Sequence, residues 1–189
     1  ASVGLMGFVA GSPLLARAGD ALFASFGLSV AVALACGALA GLAYGFFVAR
    51  KADVLATAKA DVVKAAGKTN AKIEAYSCDV SKAQPIADTF KKVQADFGKV
   101  DILVNNAGIS HAKPFETVTD EDWQGDLDLK LFGAIRTIRL ALPGMRERKW
   151  GRIVNITALS VLQPIPQFGL SVSTWAGVIG YAKTLSIEV

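Results

Sequence analysis

The sequence predicts an α/β protein built on a doubly wound parallel sheet, and three observations carry that prediction. From Lys72 onward, short β-rich runs alternate with amphipathic helical stretches, the pattern of strand-helix-strand units. The run at residues 100–104 (VDILV) is apolar at four of its five positions, as in a strand covered on both faces. With 52% hydrophobic and 19% charged residues, the chain can bury enough surface to offset the entropy of ordering, which excludes disorder.

Taken in order, residues 53–66 suit a helix with Leu55, Ala58 and Val62 inward, and residues 73–79 (IEAYSCD) suit a strand. Ser81 can cap a helix that places Ile86, Phe90, Val93 and Phe97 on one face, and Gly98 stops it. The 100–104 strand follows. Thr119 then opens a long helix carrying Trp123, Leu127, Leu131, Ile135, Ile138 and Leu142 at spacings of three and four, which Pro143 closes. Residues 152–156 (RIVNI) form a further strand, and residues 173–189 a last helix.

The net charge of +4 is small and scattered, without the basic patch that nucleic-acid binding needs. Two cysteines, Cys36 and Cys78, cannot make a disulfide framework or by themselves a zinc site, and a single histidine, His111, removes most metal and Ser-His chemistry. They point to a reduced, cytoplasmic setting. Residues 21–49 carry no charge at all. One reading makes them buried elements of the sheet, since covered parallel strands are continuous apolar runs. The other makes them a membrane helix, long enough at about 1.5 Å per residue to cross a core of about 30 Å. On that reading Gly37, Gly41 and Gly45 recur on one face. Arg50, Lys51, Lys59, Lys64 and Lys68 would then hold the C-terminal domain in the cytoplasm.

Cys78-Asp79-Val80, Asn105-Asn106-Ala107-Gly108 and Gly151-Arg152-Ile153-Val154-Asn155-Ile156, in this order and at these separations, resemble the short-chain dehydrogenase/reductase family over residues 50–189. The resemblance implies a single Rossmann-like, three-layer domain over residues 1–189, with about five strands in the order 3-2-1-4-5, ending before the family's last strands. It implies hydride transfer between NAD(P) and a carbonyl or hydroxyl substrate. Asp79 and Val80 would contact the adenine, with Asn106, Ala107 and Gly108 beside the adenosine half; Asn106 and Gly108 equally suit a strand-ending turn. In the same register residues 9–16 (VAGSPLLA) form the phosphate turn, with Gly11 and Ser12 as its candidate contacts. Residues 29–34 become the second strand and residues 35–48 an apolar insertion. Arg50 then favours a 2'-phosphate, hence NADP, or is simply a charge at a helix start.

The family's proton chemistry uses an asparagine, a serine, a tyrosine and a lysine, because a phenol needs a neighbouring cation to act near neutral pH. Counted from the intact motifs, these positions hold Lys130, Ala158, Ser171 and Trp175. The ordinary mechanism cannot run with those residues. An altered one would use Lys130 as a cation and Ser171 as its hydroxyl partner; the structural alternatives are a solvated helix lysine and a helix cap, with Trp175 as packing. Tyr181 and Lys183 are too close in sequence to share a helix face, and His111 reads as a surface loop residue. Two functions remain: a divergent oxidoreductase, impaired or inactive, or a non-catalytic binding subunit. Helices at residues 121–142 and 173–189 would pair with their copies in a homodimer, or the chain joins a larger complex.

Overall fold

A computed structural model describes residues 6–9, 45–49, 52–66, 72–110 and 112–189 of the chain. Its elements are β1 (Met6–Val9), β2 (Gly45–Ala49), α1 (Ala52–Ala66), β3 (Ile73–Ser77), α2 (Ala83–Phe97) and β4 (Ile102–Asn105). Then come α3 (Asp120–Asp126), a π-helical turn (Leu127–Phe132), α4 (Gly133–Glu147), β5 (Arg152–Asn155) and α5 (Gly169–Glu188).

The five strands lie in the order β3-β2-β1-β4-β5, as expected. Their directions differ from expectation at one place. β2 with β3 and β4 with β5 are parallel, whereas β1 runs antiparallel to both β2 and β4. The sheet is therefore mixed. An antiparallel neighbour needs no crossover helix, so nothing in strand pairing itself forbids it. The reversal sets Val9 against Gly45 and Ile102, at the edge opposite Asn105.

The second strand also moves. Gly45–Ala49 (GFFVA) fills the place expected of residues 29–34, so residues 45–48 belong to the sheet and not to an insertion. Two phenylalanines and a valine suit a pleated surface better than the alanine-rich earlier segment. For the same reason a membrane helix over residues 21–49 does not hold at its C-terminal end; among the described residues no helix is long and apolar enough to cross a membrane.

β4 is buried along its whole length, and Leu103 has no exposure. Around it Val80, Ile86, Phe90, Val93, Ile138, Ala141 and Met145 form the core that joins the sheet to α2 and α4. Burial of each such side chain contributes about 1.5–3 kcal/mol. Leu55, Ala58 and Val62 are buried on α1 as expected. Gly98 ends α2 at φ +76°, where a side chain would be strained. Ser81 does not cap that helix: its amide and hydroxyl both donate to Asp79 Oδ1, and Lys82 is the residue before the first turn.

Thr119 does open the long helix, with a reciprocal capping box to Asp122. The helix then departs from the expected stripe. Of the six apolar positions only Ile138 is buried, and the covered face is Lys130, Ala134, Thr137, Ile138, Ala141 and Met145. The π turn adds residues to one revolution, so no single 3.6-residue stripe runs through it. Pro143 lies inside α4 instead of closing it, because Ala141 and Met145 anchor the helix on both sides. α5 starts at Gly169, four residues earlier than expected, which places Ser171 in its first turn.

Candidate active site

The π turn and the start of α5 build one buried polar cluster. Lys130 Nζ lies 2.7 and 2.8 Å from the two carboxylate oxygens of Asp126, one turn earlier. It also donates to Ser171 Oγ at 2.9 Å. Thr174 Oγ1, one turn beyond Ser171, donates to Asp126 Oδ2 at 2.6 Å. Ser171 Oγ and Ser110 Oγ are 2.8 Å apart. Lys130, Ser171 and Thr174 are each 1% exposed, whereas Ser110 is exposed.

Burying an ammonium costs several kcal/mol unless a counter-charge and hydrogen bonds accompany it. Asp126 and Ser171 supply both here. Burial pushes the Lys130 ammonium below its ordinary pKa, and the Asp126 carboxylate opposes that shift. The Trp175 ring covers the ammonium 5.4 Å from its centroid, adding a cation-π contact. The same ring lies against Gly108: a Cβ there would come within 2.5 Å of it. Only a glycine allows that approach.

Proton direction follows from the donor inventory. An ammonium only donates, so Ser171 Oγ is an acceptor from Lys130. Its own hydroxyl proton, in a site almost closed to water, needs an acceptor, and Ser110 Oγ is in place. The chain of bonds thus runs Lys130 to Ser171 to Ser110, from interior to surface.

Lys130 and Ser171 are therefore neither a solvated lysine nor a helix cap, and the fold brings these two sequence candidates into contact. Trp175 is packing, as its structural reading had it. Ala158 sits before the short 3-10 turn Leu159–Val161 and carries no functional group. Asp79, Val80, Asn106, Ala107 and Gly108 follow β3 and β4 at one edge of the sheet, where open α/β sheets bind ligands. Gly11, Ser12 and Arg50 lie outside the described residues, as do Cys36 and His111. Asn105, in the same motif, is structural. Its amide donates to Asn155 Oδ1 at 2.9 Å and its oxygen accepts from Thr137 at 2.8 Å, tying β4 to β5 and α4. Tyr181 packs on the core, and Lys183 is exposed.

Sequence reasoning missed Asp126, Thr174 and Ser110. Asp126 was legible as a carboxylate four residues before Lys130, and Thr174 as a neighbour of Ser171 on one helix face. Ser110 carries no spacing signal, because a loop brings it in.

A dinucleotide fits this site in part. The small residues Ala107 and Gly108 and the Asp79-Val80 pair suit its adenosine half. At the other half, the Trp175 ring lies against Gly108, and the Lys130 ammonium is taken up by Asp126 and Ser171.

A five-stranded sheet with an Asn-Asn-Ala-Gly turn and a buried polar cluster at the carboxyl ends of its strands defines a Rossmann-like α/β domain. The short chain dehydrogenase family matches residues 24–189, and the chain belongs to that family. It is 36% identical over 162 residues to D-beta-hydroxybutyrate dehydrogenase of Cupriavidus necator, covering 86% of this chain and 60% of that protein. It is 39% identical over 131 residues to carbonyl reductase family member 4 of Xenopus tropicalis, covering 68% and 55%. L-sorbose reductase from Gluconobacter frateurii, solved with NADPH and L-sorbose, superposes with a TM-score of 0.69 at 31% identity, over 75% of this chain and 53% of that one. The chain thus spans between half and 60% of the length of these relatives.

Proposed function

We propose that this chain carries the cofactor-side and proton-transfer parts of an NAD(P)-dependent oxidoreductase acting on a carbonyl or hydroxyl substrate, with Lys130 and Ser171 in place of the usual lysine and tyrosine. The contact of Lys130 Nζ with Ser171 Oγ at 2.9 Å carries the proposal. When bound, the nicotinamide supplies or accepts the hydride. The protein's own part is the proton. Lys130, kept charged by Asp126, withdraws electron density from Ser171 Oγ and makes its hydroxyl a better donor than an isolated alcohol. Asp126 and Thr174 fix the lysine. Asp79, Val80, Asn106, Ala107 and Gly108 hold the adenosine half, Gly11 and Ser12 the phosphates, and Arg50 a 2'-phosphate when NADP is bound. The half-buried Leu131 and exposed Phe132 of the π turn, with Ile135 of α4 and Ile179 of α5, support a homodimer through this face.

Titration with NADPH and NADH, followed by tryptophan fluorescence, tests cofactor binding, and coenzyme reduction with β-hydroxybutyrate tests turnover. Saturable quenching with turnover that is lost in Ser171→Ala supports the proposal. A second reading, a binding subunit without catalysis, is favoured by one observation: the Trp175 ring, at the position where the family resemblance calls for a ribose-holding lysine, rests on Gly108. A flat fluorescence response selects that reading.

A further inference from the structure

We infer that Ser110 is the residue that touches the substrate oxygen, supplying the polarising hydroxyl that Ala158 lacks; this rests on the oxidoreductase reading of the same site. Three observations converge on Ser110. It is the only exposed member of the Lys130, Ser171 and Ser110 hydrogen-bond chain, and so the one a substrate can reach. Its oxygen lies 2.8 Å from Ser171 Oγ, which already accepts from Lys130, so Ser110 can take the Ser171 proton and aim its own away from the cluster. It also lies two residues beyond Gly108, on the loop leaving the ligand-binding end of β4.

The chemistry of the chain narrows the ligand. Asp126 neutralises Lys130, and Lys113, on the same loop as Ser110, is paired with Asp122. Among the described residues the site therefore presents a neutral hydroxyl donor, sharpened by the charge behind it, and no bare cation. That suits an uncharged carbonyl oxygen, which becomes an alkoxide as hydride arrives, more than a carboxylate or phosphate. In the reducing direction a bound nicotinamide would supply the hydride to the carbonyl carbon, and the C=O π pair would pass to the oxygen held by Ser110. The Ser110 proton bonds to that oxygen, Ser110 takes the proton of Ser171, and Ser171 takes one from Lys130. After product leaves, a proton from solvent enters at the exposed Ser110 and the same relay returns one through Ser171 to Lys130.

The test compares Ser110→Ala, Ser110→Thr and a control, Ser173→Ala, whose hydroxyl is exposed and bonds only the Gly169 carbonyl. Each variant of the protein is assayed for reduction of L-sorbose and acetoacetate by NADPH and NADH, with cofactor quenching and thermal midpoint measured alongside. The expected result is a loss of about 100-fold in kcat for Ser110→Ala. Quenching and thermal midpoint are expected to stay unchanged, with recovery to within about 10-fold in Ser110→Thr and no loss in Ser173→Ala. Wild-type kcat in Ser110→Ala, with activity lost in Ser171→Ala, overturns the role of Ser110 and leaves the oxidoreductase reading standing. An inactive wild-type protein overturns both.

Discussion

Lys130 Nζ and Ser171 Oγ meet at 2.9 Å across 41 positions of sequence, and neither side chain is more than 1% exposed. The ammonium is held there by Asp126, whose side chain is itself only 11% exposed. Lys130→Met therefore leaves a nearly buried carboxylate without its cation. Urea unfolding is expected to register a loss of about 3–5 kcal/mol. Adding Asp126→Asn to Lys130→Met should recover part of that loss; an unchanged urea midpoint in the single variant would mean that the pair is not buried.

The same lysine sets a pH dependence. Its folded pKa lies below that of the unfolded chain, because burial outweighs the help of Asp126. Between the two values the unfolded state binds more protons, so the contribution of Lys130 to stability rises with pH toward the ordinary lysine pKa of about 10.4. The stability difference between wild type and Lys130→Met should accordingly increase from neutral to alkaline pH. Subtracting the variant removes groups that titrate in both. A difference that falls over this range contradicts the burial.

Gly108 and Trp175 form a second pair that mutagenesis can read. A Cβ at Gly108 would lie 2.5 Å from the ring, so Gly108→Ala must displace a buried tryptophan. The expected cost is about 1–3 kcal/mol. In a Trp175→Leu background the same substitution should be nearly neutral, and equal losses in both backgrounds would refute the contact.

Cys78 follows β3 and is buried in the core, where burial pushes its thiol pKa up. Since the thiolate is the reactive form, Cys78 should resist iodoacetamide in the native protein and react on unfolding. Peptide mapping by mass spectrometry checks this; rapid native labelling would contradict its position.

The part of the fold from Ile73 onward was legible because its signals are local. Ile86, Phe90 and Val93 keep a helical period, the 102–104 run is uniformly apolar, and Thr119 precedes a cluster of acidic residues. What the sequence hid was non-local or aperiodic. The π turn shifts the buried face by changing the number of residues per revolution, which no fixed template anticipates. The position of the second strand was hidden because both candidate segments are apolar, and only pairing with β1 and β3 selects Gly45–Ala49. Within the site, the residue types at positions 130 and 171 suggested a pair, but their contact depends on the packing of α5 against the π turn.

The most direct measurement of the central claim is deuteride transfer. NADPH and NADH deuterated at the nicotinamide are incubated with the protein and a panel of ketones, and deuterium in the alcohol product is read by mass spectrometry. Transfer by the wild-type protein is expected, with a loss of about 100-fold or more in Ser171→Ala. Absence of deuterium in every product, or equal transfer by Ser171→Ala, would contradict it.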